Sequence, residues 1–588
     1  MKISRLTRAQ TYAGILLFAM LAMTARNAVD PDLWWHLRTG QWIMETGHIP
    51  SSDPFSFTRA GSSWVSHEWL SEVAFYEIWK HSGAAGLIIF SAIVTTAGFL
   101  LLYLRSPGKP HWAAVTLLLG ALAAAPVWGV RPQMFTFALA GLLLWLLDRG
   151  QERPRLLIWI PPLFLLWLNL HAGFALGPVL LVAYGAGLVW EVAAGDTSWQ
   201  EARLYFVRIL LVLTACVALV PLNPSGVQLY RYPLDVLRSV AMRSIIIEWS
   251  PPDFHQLRYL PLFLIWLALL WALASSRSRP KARVLVPLFL TFLAALDAVR
   301  HIPLLVLLAT PVIAAAFPGA SSLSLFSWAR PVSSARQSRF AFRAAVLLLM
   351  AGFALTRWAS LVRNQARAEA ELYPTQAVEF LRFHKLPSRL FVYYDWGGYA
   401  IWKLYPEYHV FVDGRADLYG DDLLHQFQEA AQLRAGWKQV LDRWGVQAVL
   451  VPPTGALAQG LLLDPRWHAE YRDSQATLFL STPLTAKTVE LSRICPAGHK
   501  TEKNVSRALP NLRNYTKLNQ FPTADRGNEA AVLVQAANDT VLDSAFTCNR
   551  LVGLASGAAK ALFGSGWNSN ANLEDAHDER FGRPVVAQ

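Results

Sequence analysis

Runs of apolar residues close to 20 long recur through most of this sequence, and no other feature constrains its fold as strongly. A helix rises about 1.5 Å per residue, so each run is long enough to cross ~30 Å of hydrocarbon. About eleven can be read, at roughly 10–29, 83–104, 112–129, 133–148, 155–170, 172–190, 206–222, 258–275, 283–297, 301–317 and 342–358. Lipid offers the backbone no hydrogen-bond partners, so these runs must be helical. With 54% hydrophobic and 16% charged residues the chain is not an ordinary soluble globule, and its 24 Trp suit membrane–water boundaries. The expectation is a mainly α polytopic membrane protein of about 11 transmembrane helices with a C-terminal extracytoplasmic α/β domain.

The net charge of +13 is explained by where the charges fall. With the N-terminus inside, the inner loops hold Lys2, Arg5 and Arg8, then Arg105 and Lys109, then Arg149, Arg153 and Arg155, and further groups near 203–208, 277–283 and 330–343. The short outer loops hold only Arg131, Arg231, Arg238, Arg243 and Arg300. Basic loops stay in the cytoplasm, so the bias predicts a cytoplasmic N-terminus in the inner membrane, an extracytoplasmic C-terminal domain, and no nucleic-acid partner. The first run is expected to be an uncleaved anchor. Cys216, Cys495 and Cys548 make no disulfide framework, although Cys495 and Cys548 can be paired.

The expected divisions are a first helix at 1–29, a first extracytoplasmic loop with the active site at 30–82, a helix block at 83–358, an α/β domain at 359–484 and a low-order tail at 485–588. In the α/β region "RLFVYY", "HVFVDG", "VQAVLVPP" and "ATLFLS" read as strands, while "TQAVEFLRFH" and "AGWKQVLDRWG" read as helices. The tail carries three sequons (Asn504, Asn514, Asn538) and no sustained period.

Candidate chemistry begins where the first run ends, in "DPDLWWHLRTGQW". Asp30-Pro31 is a good N-cap and first helical residue, and Asp32 suits the first turn. That leaves His36 unexplained, one turn on from Asp32 and on the same face. The loop continues with "SSDPFSF" and "SSWVSHEWLSE", where Ser66 can cap a helix that turns Trp69, Val73 and Tyr76 inward, and His67-Glu68 repeats the acid–imidazole pairing. Asp30 and Asp32 are the candidate catalytic residues; Asp32, His36, His67 and Glu68 are also candidate ligands for a divalent cation. The later outer ends carry "VRPQ", "NLHAGF", "LNPSG", "EWSPPD" and "DAVRHIP". Singly these are helix punctuation; together they form a polar ceiling in which Arg131, His171, Arg300 and His301 are available to an anion. In "DWGGYAIWKLYPEYHVFVDGRADLY", Gly397-Gly398 reads as a tight turn between a strand and a short aromatic helix, and Asp413 and Arg415 end a strand where α/β domains often bind ligands.

The loop "DPDLWWH…GHIPSSDPFSF…WVSHEWLSE", the outer "NLHAGF", "RHIP" and "DWGGYAIWKLYPEYHVFVDGRADLY" resemble bacterial members of the polytopic glycosyltransferase superfamily GT-C, over about residues 10–482. Relatives in that superfamily include protein mannosyltransferases, oligosaccharyltransferases and aminoarabinose transferases. The resemblance implies one or two acidic first-loop residues at the centre of the chemistry, which map onto Asp30 and Asp32. It also implies a polyprenyl-phosphate sugar donor, and a lipid, glycan or protein acceptor. The implied reaction is inverting, with Asp32 or Asp30 as base, Arg131, Arg300 or His301 on the donor phosphate, and His36, His67, Glu68, His171, Asp413 and Arg415 lining the substrate site. The alternatives are a transporter or flippase, which ordinarily needs ionisable midplane residues that these runs lack, and a non-catalytic envelope assembly protein.

Overall fold

The computed structural model describes residues 8–107, 110–276, 279–317 and 336–481. The expected tail, its sequons and the Cys495–Cys548 pair lie outside these residues. The chain divides into two compact units, 1–458 with 470–478, and 459–469 with 479–588.

In the first unit every expected apolar run is part of a helix. Among the described residues seven helices are long and apolar enough to cross a membrane, and two shorter apolar helices, Gln10–Thr24 and Pro154–Leu170, accompany them. The chain is a multi-pass membrane protein. Helix α1 (Arg8–Thr24) is followed by α2 (Pro31–Thr46) and by α3 (Trp69–Arg105). The 37 residues of α3 exceed what a bilayer needs, and the helix kinks at Gly83, whose φ of 56° is open to a residue without Cβ. The expected span 83–104 is the segment beyond that kink.

Two helix pairs break in the same way. Between Pro154–Leu170 and Ala172–Ala193 the chain is extended at His171 (φ −164°, ψ 143°), and between Ala282–Asp297 and Val299–Ala316 it is extended at Ala298 (φ −150°, ψ 136°). Each break frees backbone groups and presents the polar motif predicted there.

The helix 336–372 runs well past its apolar part, and its polar end holds the chain leaving α1. Gln365 Oε1 accepts from Ala28 N and its Nε2 donates to Ala28 O, both at 2.9 Å; Asn27 Nδ2 donates to Leu361 O at 2.9 Å; Tyr373 Oη donates to Val29 O at 2.7 Å. Residue 30 is thus delivered by a fixed segment. As the Asp-Pro pair predicts, Asp30 caps α2, accepting from Asp32 N at 3.1 Å, with Pro31 in the first turn and Gly47 (φ 72°) closing the helix. Such a cap is worth ~1 kcal/mol.

Ser66 does not cap α3. The helix starts at Trp69 with Glu68 at the cap position and no side-chain cap bond, and Ser66 Oγ faces Glu72 Oε2 at 3.5 Å. The buried face is therefore Ser71, Glu72 and Phe75, while Val73 and Tyr76 are only half-buried.

Beyond residue 372 strands β1 (Arg389–Val392), β2 (His409–Val410) and β3 (Ala448–Val451) run parallel in the order β2-β1-β3, with β1 and β3 almost wholly buried. "RLFVYY" and "VQAVLVPP" hold as strands, and "HVFVDG" is a strand over two residues only. Gly397 and Gly398 do not make a turn: they open a helix, Gly397–Leu404, and allow close approach. A Cβ on Gly397 would meet Val412 O at 2.5 Å, and one on Gly398 would meet Pro31 O at 2.8 Å. The α/β sheet is seated on the start of α2 through these contacts. In the second unit the described residues include the end of a helix, Ala456–Leu462, and parts of strands Trp467–Arg472 and Thr477–Ser481.

Candidate active site

Four chain segments converge on the start of α2. Gly129 precedes the helix Gln133–Gly150, and a Cβ there would fall 2.4 Å from Asp30 Oδ2. The missing side chain makes room for that carboxylate. Arg131, two residues on, turns its guanidinium into a ring of acids: Nε stands 3.5 Å from Asp30 Oδ2, Nη1 4.0 Å from Asp32 Oδ2, and Nη2 contacts Glu248 Oε1. Asp32 Oδ1 accepts from Trp35 Nε1 at 3.3 Å, and the backbone of Gly414 lies against the same oxygen.

Burial raises the pKa of both aspartates, Asp30 against the pull of Arg131, and Asp32 to about 7 through burial first and the neighbouring Asp30 second. Asp32 nevertheless keeps 35% of its side-chain surface accessible, against 13% for Asp30. It is the more open carboxylate and the one set to exchange a proton near neutrality.

Arg300 completes this wall. Its guanidinium carbon sits 4.3 Å over the Trp249 ring, within electrostatic reach of Glu248, Arg131, Asp32 and Tyr232. His301 meets Trp249 edge to face at 6.0 Å, and its Nδ1 lies 3.1 Å from Ala294 O, which makes that nitrogen the donor. The Trp249 Nε1 is buried with no hydrogen-bond partner among the described residues. Facing Asp32 from the α/β side, Tyr394 Oη is likewise buried with no partner among the described residues, and its pKa is pushed well up by burial and by Asp32, Asp413, Asp395 and Asp417.

The second acid–imidazole group forms a buried network behind the first. Glu68 Oε1 accepts from His67 Nε2 (3.1 Å) and Ala172 N (3.2 Å) and lies 3.7 Å from His171 Nε2, while Glu68 Oε2 lies 3.6 Å from His36 Nε2. His36 Nδ1 faces Glu72 Oε1 at 3.5 Å, and the His36 ring stacks on Trp35 at 3.6 Å. Burial works against the Glu68 charge, but His171, His67 and His36 outweigh it and hold this carboxyl below the usual carboxylate range. His171 itself stays neutral: burial lowers it to about 3, and its Nδ1 accepts from Gly173 N (3.0 Å) and sits 2.7 Å from Thr136 Oγ1. The compensating charge therefore falls on His67, where burial is overcome by Glu68 and the pKa rises to about 9.

Asp413 and Arg415 face the protein interior. They are 0% and 2% exposed; Arg415 Nη2 meets Asp413 Oδ2 and Arg415 Nη1 meets Asp53 Oδ1, each at 2.7 Å, with Tyr419 Oη on Asp413 and the Trp64 ring 4.6 Å from the guanidinium carbon. Their neighbour Gly414 is what reaches the site. Glu248, Trp249 and Tyr394 are not among the residues singled out from sequence; an acid next to Trp at the end of an outer segment in "EWSPPD" is the signal that could have found the first two.

Among the described residues no three His, Cys, Asp or Glu groups converge as metal ligands. Asp32, His36, His67 and Glu68 split between the two networks, and the carboxylates that do converge, Asp30, Asp32 and Glu248, converge on a guanidinium. The place between those three carboxylates is taken by the Arg131 guanidinium.

No protein-family model matches the chain, and no curated protein matches it significantly. Solved structures do. The Archaeoglobus fulgidus oligosaccharyltransferase in its apo form aligns with TM-score 0.50 and 13% identity over 91% of this chain and 86% of that one. The same organism's AglB in complex with an inhibitory peptide and a dolichol-phosphate gives TM-score 0.49 and 12% identity over 95% and 86%. Cupriavidus metallidurans ArnT bound to undecaprenyl phosphate gives 0.44 and 15% over 80% and 98%. At such identities the first of these establishes a shared fold with that oligosaccharyltransferase.

Proposed function

We propose that the protein is a membrane glycosyltransferase that moves a sugar from a polyprenyl-phosphate donor to an extracytoplasmic acceptor with inversion. The observation that carries this reading is Asp32: an accessible carboxylate with a pKa raised to about 7, beside two guanidiniums, on a fold shared with an oligosaccharyltransferase. Asp32 takes the proton of the acceptor hydroxyl while that oxygen attacks the sugar C1. The bond from C1 to the phosphate oxygen breaks, and its electron pair leaves on the polyprenyl phosphate. A base so placed contributes ~10²–10⁴-fold.

The two guanidiniums divide the remaining work. Arg131 is engaged by three carboxylates, whereas Arg300 rests on an aromatic face with none within ion-pair distance among the described residues, and is free to take the departing phosphate. Asp30, more enclosed and spent on capping α2 and facing Arg131, positions Asp32. The positive-inside bias supports an orientation with this end of the bundle, and an acceptor-selecting α/β region, outside the inner membrane. The 30–82 loop is the catalytic segment of that arrangement.

Titrating undecaprenyl phosphate into the purified protein in lipid nanodiscs tests the donor assignment. Saturable binding that is weakened at least tenfold in Arg300→Ala is expected. Equal binding by both would remove Arg300 from the donor site, and no binding by either would remove the lipid phosphate itself.

A further inference from the structure

We infer that Arg131 is a built-in cation that holds the position a divalent metal would take between Asp30, Asp32 and Glu248, so that the site excludes Mg²⁺ and Mn²⁺. The inference rests on the transferase reading only for its chemical consequence; the ion-binding property stands without it.

Three carboxylates from two separate segments point at one place. Asp30 and Asp32 come from the start of α2, and Glu248 from the "EWSPPD" segment, 117 residues from Arg131. Mg²⁺ would bind such oxygens at about 2.0–2.1 Å in an octahedral shell completed by water. Here the centre is filled instead by a planar group with five N–H donors, each of its three nitrogens within 4.0 Å of a different carboxylate. Arg131 has little freedom to leave, since its side chain is only 14% accessible. Gly129 shows that the room was made for this arrangement: without a Cβ there, Asp30 Oδ2 reaches the guanidinium side of the segment.

Charge balance agrees. Three carboxylates against Arg131 and Arg300 leave one net negative charge, and a protonated Asp32 leaves none. A divalent ion added to that set would face two guanidiniums at close range, a repulsion that partial burial strengthens. The three acids thus act as a cradle for a fixed positive charge, which stabilises Asp30 and Asp32 as anions and adds its field to the donor phosphate held by Arg300.

Mn²⁺ binding, followed by electron paramagnetic resonance on the purified full-length protein in nanodiscs, reads this directly. The wild type is expected to leave Mn²⁺ free. Arg131→Ala, or Arg131→Met where the alanine variant does not fold, is expected to gain one equivalent of bound Mn²⁺, and adding Glu248→Gln is expected to abolish the gain. One equivalent bound by the wild type and lost in Glu248→Gln would overturn the inference. So would a folded Arg131 variant that gains none, because the carboxylates would then not converge. The wild-type titration decides the matter even where no variant folds. Because the readout is ion binding, failure of the transferase reading would leave these outcomes unchanged.

Discussion

Gly414 lies directly over Asp32: a Cβ at residue 414 would stand 2.2 Å from Asp32 Oδ1 and 3.0 Å from Trp35 Nε1. The α/β region therefore forms part of the wall around the candidate base. Gly414→Ala should push the Asp32 carboxylate off its bond to Trp35 and lower turnover by about 10²-fold, the scale of a 1 Å misplacement. Its thermal unfolding should stay close to wild type. Unchanged turnover in a folded Gly414→Ala would show that the approach has no bearing on catalysis.

Arg415, adjacent, has a different task. It joins Asp413 to Asp53, 362 residues away in sequence, in a fully buried group. Removing one partner of a buried pair strands the others, so Arg415→Ala should cost ~3–5 kcal/mol. Thermal melting checks this, and Arg415→Lys should recover only part of the loss because lysine cannot bridge both acids bidentately. A melting temperature equal to wild type would contradict the assignment of a structural role.

The buried network around Glu68 makes a pH prediction about stability. The His67 pKa is raised to about 9, above the ~6.5 of an unfolded chain, so its contribution is complete below about 6.5 and is lost as pH rises through about 9. The melting temperature of the wild type should fall between pH 6.5 and 9.5 by more than that of His67→Gln. Parallel curves would mean that His67 does not carry the charge that compensates Glu68.

Much of this was legible in the sequence, and what was not shares a physical cause. The apolar runs gave the helices because the length needed to cross a bilayer leaves a long, unambiguous signal. Asp30-Pro31 predicted the start of α2 because capping is local. Contacts between distant segments were hidden: nothing in "VRPQ" shows that Arg131 meets Glu248, and nothing in "VDGRAD" shows that Arg415 turns inward to Asp53 while Gly414 faces the site. Ser66 yields the cap position to Glu68 because several polar residues near a helix start compete for it and tertiary contacts choose among them. The glycines at 397 and 398 read as a turn, whereas packing against Val412 and Pro31 requires them in a helix.

Asp32 offers the most direct test. As a base it must be ionised, and its pKa is raised to about 7, so transfer should increase as pH rises through about 7 and level off above. The decisive measurement is transfer from radiolabelled polyprenyl-phosphate sugars by the nanodisc-reconstituted protein, as a function of pH, beside Asp32→Asn. The account predicts turnover that follows this profile, a product of inverted anomeric configuration, and at least a ~10²-fold loss in a folded Asp32→Asn. Full turnover in that variant, or a retained configuration, would contradict it.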